Sequence, residues 1–176
     1  MILVNMDSEN KLLHKGRLIS LYKERVPLRD GGATSFDIIK HPGGAVIAAI
    51  NEKNEICLLK QWRHAVDSTI WEAPAGCLEA GEDPLLTAQR ELEEETGVRA
   101  ATWSSPNRII PSPGFSNEVL YLYKATELSK GTTNLDAAEQ IEVHWVPLKE
   151  AFKMAKRGEI EDAKTLAILL MLIDLC

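Results

Sequence analysis

Residues 76–98 read GCLEAGEDPLLTAQRELEEETGV, and the middle of this stretch is a helix that breaks its own rules. Asp83 is a natural N-cap and Pro84 suits the first helical position. Gly97 supplies the C-terminal stop. Leu85, Ala88 and Leu92 share one face at i, i+3, i+7 spacing. Yet Glu91, Glu93, Glu94 and Glu95 crowd the C-terminal half. Exposed carboxylates there meet the negative end of the helix dipole, at roughly 0.3–1 kcal/mol each. Glu91 and Glu95, at i and i+4, repel by a further ~0.2–0.5 kcal/mol. Local rules broken together mark function. Glu91 and Glu95 project side by side, one turn apart, as two carboxylates would to hold a hard divalent cation. Mg²⁺ prefers such oxygens, keeps waters and is completed by substrate phosphates. A solvated acidic face is the plain alternative, and the spacing decides between them.

Gly76 is followed after five residues by Glu82, and after seven more by Arg90-Glu91-Leu92; then come Glu94-Glu95, Gly97 and Val98. This resembles the Nudix box, Gly-x5-Glu-x7-Arg-Glu-U-x-Glu-Glu-x-Gly-U with U aliphatic, at all of its positions. At residue frequencies near ~7%, chance agreement is on the order of 10⁻⁹ per starting point, so a merely solvated face is set aside. Outside the box the resemblance extends to the ADP-ribose pyrophosphatase branch. It is carried by Gln61-Trp62-Arg63, by Trp71-Glu72-Ala73-Pro74-Ala75-Gly76 and by Pro111-Ser112-Pro113-Gly114-Phe115-Ser116-Asn117-Glu118. Pro113 stands where that branch has its marker proline, and Gly158-Glu159-Ile160 with Asp162-Ala163-Lys164-Thr165 resembles its C-terminal helix entry.

The resemblance implies an α+β Nudix fold, an α/β/α sandwich with mixed sheets. It implies metal-dependent hydrolysis of the pyrophosphate bond of a nucleoside diphosphate sugar, ADP-ribose first and GDP-mannose as the alternative. A sensor that binds without turnover is the reading from another class, and the intact box argues against it. By the same resemblance Glu91, Glu95 and the Ala75 carbonyl hold Mg²⁺ or Mn²⁺, with Glu94 close by. Arg90 orients the box carboxylates through ion pairs, with Glu82 as an internal partner. Arg63 contacts substrate phosphate, and Glu118 and Gly114 belong to the substrate loop. Gly76 and Gly97 allow tight turns on either side of the helix. The branch often carries a run of acids before the last strand, one of which activates water. Here Ala137 and Ala138 interrupt it, and Glu139 is the remaining candidate.

Outward from the box, Ala45–Ile50 and Glu55–Gln61 read as strands, the first apolar throughout and so central. Val119–Ala125 and Ile141–Val146 read as further strands, Leu148–Lys156 and Glu161–Leu175 as helices. Residues 1–40 form a separate small β unit ahead of a hydrolase domain at 41–176. A unit of that size is marginal alone, and the branch uses it for exchange across a two-fold axis, so a homodimer is expected. The 176 residues carry a net charge of −6, which argues against a nucleic-acid footprint. Three cysteines without metal spacing imply no disulfide framework. Neither a signal peptide nor a run long enough to span a bilayer is visible, so a cytoplasmic protein with a small-molecule substrate is expected. His41, His64 and His144 read as structural or surface residues, Trp71 as core packing and Cys77 as a small filler.

Overall fold

Strand β4 (Gly44–Ala49) decides how the layers stack, because every one of its residues is buried. Successive side chains of a strand point to opposite faces. Val46 and Ala48 therefore enter one core, with Leu148, Ala151, Ile168 and Leu169, while Ala45, Ile47 and Ala49 enter another, with Ala88 and Leu92. Strand β5 (Glu55–Arg63) divides the same way, Ile56 and Leu58 to the first core, Cys57 and Leu59 to the second. One helix thus covers one face and two helices the other.

The computed structural model describes residues 10–135 and 140–175. Strands β1 (Lys11–Lys15), β2 (Ser20–Pro27) and β3 (Ala33–Lys40) form an antiparallel N-terminal sheet. The central mixed sheet runs β7 (Ala75–Cys77), β4, β10 (Leu120–Lys130), β8 (Val98–Trp103), and β9 (Asn107–Ile109) also pairs with β10. Its β4–β10 pair is parallel and the others antiparallel. A third sheet has the order β11 (Ile141–Pro147), β5, β6 (Ser68–Glu72). Helix α1 (Pro84–Thr96) packs on β4, while α2 (Leu148–Lys156) and α3 (Ala163–Met171) lie across the sheets from it. This is the expected α+β sandwich with mixed sheets.

Helix α1 begins and ends where its caps dictate. Asp83 accepts from the Leu85 N–H at 2.8 Å, and Gly97, at φ 68°, donates its N–H to the Glu93 carbonyl. The last helix is shorter than the expected 161–175. Asp162 is its N-cap, accepting from the Thr165 N–H at 2.9 Å, so the helix cannot start before Ala163. It gives way after Met171 to a 3-10 turn at Ile173–Leu175. Among the described residues no helix is long and apolar enough to cross a membrane.

Candidate active site

A cleft of about 800 Å³ opens between the end of α1, strands β5 and β7 and the start of α3. Of the residues singled out in the sequence, Arg63, Ala75, Glu91, Glu95 and Glu118 line it. Arg90, Glu94 and Gly114 do not. Gly114 is exposed at the apex of the 112–116 turn, which the Ser116 N–H closes onto the Ser112 carbonyl at 2.9 Å. Glu139 lies outside the described residues.

The acidic side is built on two backbone positions of β7. Glu95 is only 4% exposed, and its Oε2 accepts from the Ala75 N–H at 3.0 Å. Glu91 lies against Gly76 so closely that a Cβ there would stand 1.9 Å from its carboxyl carbon. Gly76 is therefore required for the space it leaves to Glu91. This corrects the turn reading, since Gly76 is a strand residue and does not share the positive φ of Gly97. Arg90 then offsets the repulsion that the sequence exposes. Its guanidinium donates to Glu91 Oε1 at 2.7 Å, Glu94 Oε2 at 3.1 Å and both oxygens of Glu82 at 3.2 Å. It reaches the Cys77 carbonyl at 3.3 Å as well, tying the helix to β7. These bonds raise the Arg90 pKa, Glu82 contributing most, and hold the Glu82 carboxyl down to about 2.

The opposite side is cationic and rests on one buried carboxylate. Arg63 donates through Nε to Glu72 Oε1 at 2.9 Å and through a terminal nitrogen to Oε2 at 2.5 Å. The side chain of Glu72 is 4% exposed. Lys164 Nζ approaches the same Oε2 at 3.3 Å and Asp162 Oδ1 at 3.0 Å. The Glu72 hydrogen bond raises the pKa of Arg63 most, and Glu95 adds to it. Burial first, then Glu95, pushes the Cys57 thiol up to about 12, leaving it inert as a nucleophile.

The residues present suit a hard divalent cation. The donor set of Glu91, Glu95 and the Ala75 carbonyl is all oxygen, and the bare Gly76 backbone cradles one of those carboxylates. Among the described residues, no three His, Cys, Asp or Glu side chains already converge as a metal cluster. Glu91 is drawn to Arg90 and Glu95 to the Ala75 N–H, which accounts for that geometry.

The cleft is also lined by Arg17, Gln61, Glu79 and Lys164, to which sequence reading gave no functional role, and by His41, which reads there as a structural or surface residue. His41 accepts from the Gly43 N–H at 3.0 Å through Nδ1, which lies 3.5 Å from Glu118 Oε1. Gln61 is 5% exposed, and its amide oxygen is buried without a hydrogen-bond partner among the described residues. Gln61 had a readable signal: it continues the inward alternation of Cys57 and Leu59 with a polar side chain. Lys164 stood in the 162–165 segment that carries the resemblance but with no role attached, and Arg17 had no signal. Trp71 packs beside the core, edge-on to His144 at 4.9 Å, and lies outside the cleft.

Comparison with known proteins settles the family. The NUDIX domain matches residues 40–169. The chain belongs to the Nudix family. It is 41% identical over 155 residues to an ADP-ribose pyrophosphatase of Bacillus subtilis (strain 168), covering 87% of this chain and 84% of that protein. It is 38% identical, with the same coverage, to a methanol dehydrogenase activator of Bacillus methanolicus. A crystal structure of an ADP compounds hydrolase superposes with a TM-score of 0.83 at 16% identity, over 95% of this chain and 91% of that one. At that identity the last likeness is one of fold alone.

Proposed function

We propose that this Nudix chain hydrolyses the pyrophosphate bond of ADP-ribose, giving AMP and ribose 5-phosphate, with Mg²⁺ held by Glu91, Glu95 and the Ala75 carbonyl, or Mn²⁺ in its place. The observation that carries the reading is the cleft itself, in which two helix carboxylates face a tethered arginine. The 41% identity to an ADP-ribose pyrophosphatase supports the choice of substrate. When bound, the metal would offset phosphate charge and lower the pKa of a coordinated water. The chain's own residues do the rest. Arg63 holds a phosphate oxygen by charge-assisted hydrogen bonds. Arg90 keeps Glu91 and Glu94 in place. Glu139 accepts the proton of the attacking water, with Glu118 next in line because it lines the same cleft.

GDP-mannose stays in the comparison because, among the described residues, no Phe, Tyr or Trp lines the cleft, and nothing there distinguishes one purine from the other. The test is phosphate release by a coupled phosphatase across a panel of nucleoside diphosphate sugars. Turnover highest on ADP-ribose supports the reading. A preference for GDP-mannose replaces the substrate, and tight binding without release from any member makes the chain a sensor.

The same reading includes a cytoplasmic homodimer. The N-terminal sheet exposes Leu12, Leu13, Val26 and Phe36, each by more than a third, and a two-fold partner would cover them. Arg17 and Leu18 at the sheet's edge line the cleft, which links this unit to the chemistry. Light scattering at micromolar concentration tests the assembly, and a mass near 19.5 kDa would overturn it.

A further inference from the structure

We propose that Lys164 is a second anion-binding residue of the cleft, and that Glu72 is the positioning residue that sets Lys164 and Arg63 side by side to take the phosphate opposite the carboxylate wall. The proposal rests on the diphosphate reading above and adds to it a ligand on α3.

A lysine ammonium has three N–H donors and an arginine guanidinium five. Lys164 Nζ stands 3.3 Å from Glu72 Oε2 and 3.0 Å from Asp162 Oδ1. Two carboxylates leave donor capacity on the ammonium, and the side chain, 16% exposed, lines the cleft. Arg63 gives Nε and one terminal N–H to Glu72, so three of its donors are available to a ligand. Its side chain is 39% exposed. Two cations with donors to spare thus stand on one wall of one cleft.

A single structural ion pair would not need this arrangement. Glu72 would be satisfied by Arg63 alone, which already engages both of its oxygens. Placing Lys164 there as well brings a second cation to Glu72, with Asp162 as its own further carboxylate, so that both cations are held at the wall of the cleft. Asp162 fixes the Lys164 position rigidly. Its other oxygen, Oδ2, caps α3 through the Thr165 N–H at 2.9 Å and hydroxyl at 2.5 Å, and that hydroxyl accepts from the Ala73 N–H at 2.7 Å, next to Glu72. A diphosphate bears charge on both phosphorus centres. Glu91 and Glu95 need a metal between themselves and one of them, whereas Lys164 and Arg63 hold the other directly.

The test uses inorganic pyrophosphate as the probe, titrated calorimetrically at saturating Mg²⁺ into the full chain. The expected result is that Lys164→Met weakens its affinity at least about tenfold, while Lys164→Arg stays within about threefold of the parent. Melting curves report whether each variant is folded. Should Lys164→Met lose its folded transition, Lys164→Gln, neutral but able to donate to Asp162, carries the same expectation. Unchanged pyrophosphate affinity in a folded neutral variant, or no binding by the parent, overturns the proposal. ADP-ribose hydrolysis measured in parallel separates the two readings. Weakened pyrophosphate binding without any ADP-ribose turnover removes the substrate and keeps the anion site. Normal turnover with unchanged pyrophosphate affinity does the reverse.

Discussion

The two walls of the cleft are assembled in opposite ways. The acidic wall comes from one contiguous run, residues 76–98, in which helical periodicity and one bare glycine place Glu91 and Glu95 on β7. The cationic wall is gathered from β5, β6 and α3, and its parts meet only because one sheet and a helix pack correctly. A local wall can lose its chemistry and keep its fold. A distributed wall is part of the fold, so damage to it should register in stability as well as in binding.

Glu139, outside the described residues, gives the largest expected effect. If Glu139 takes the water proton, Glu139→Gln lowers kcat by ~10²–10⁴ with little change in KM. Retained activity would move the base to Glu118 or Glu94.

On the acidic wall, Glu95→Gln should cost at least ~10²-fold in turnover, the size of effect seen when charge stabilisation of a transition state is removed. The melting midpoint should barely move, because the amide oxygen can still accept the Ala75 N–H and helix repulsion is relieved. Near-normal rates at saturating Mg²⁺ would take Glu95 out of the ligand set.

On the cationic wall, Glu72→Gln should behave differently, raising KM and destabilising the protein together. It leaves Arg63 and Lys164 without their shared charge. Breaking a buried pair costs ~3–5 kcal/mol, and the partial exposure of Arg63 reduces this to about 1–3 kcal/mol. That corresponds to a fall of roughly 2–12 °C in Tm for a chain of this size. A Glu72→Gln protein that melts with its parent would break the contrast between the walls.

The smallest effect is a pH signature within the acidic wall. Arg90 lowers the Glu82 carboxyl from 4.5 to about 2. A depressed carboxyl stabilises the folded state above its unfolded pKa and loses that contribution as pH falls through the folded value. Stability from this pair is therefore complete above about pH 4.5 and is lost between there and about pH 2. Arg90→Ala should flatten that part of the stability profile, and chemical denaturation at stepped pH measures it. An identical slope in both proteins would mean that the pair carries no such linkage.

The contrast also explains what could be read from the sequence. Asp83, Pro84 and Gly97 announce α1 because caps act within a few residues, and the all-apolar β4 announces its own burial. Strands β6, β7, β8 and β9 were not anticipated, and in three of them three to five residues carry too little alternation to stand out. Glu91 and Glu95 were visible as a violation of helix rules. Their relief by Arg90 and the Ala75 N–H was only partly so, because the second partner sits twenty residues away. Lys164 stood out only as part of the helix entry at 162–165: its neighbours Asp162 and Thr165 serve a helix cap, and its meeting with Arg63 depends on tertiary packing.

The central claim is that the carboxylates of α1 act on a diphosphate through a metal. Its most direct test is product analysis of ADP-ribose incubated with the chelated protein while Mg²⁺ is titrated back. The account predicts no product without metal, then saturable and equal release of AMP and ribose 5-phosphate. Metal-independent cleavage, or products other than those two in equal amounts, would contradict it.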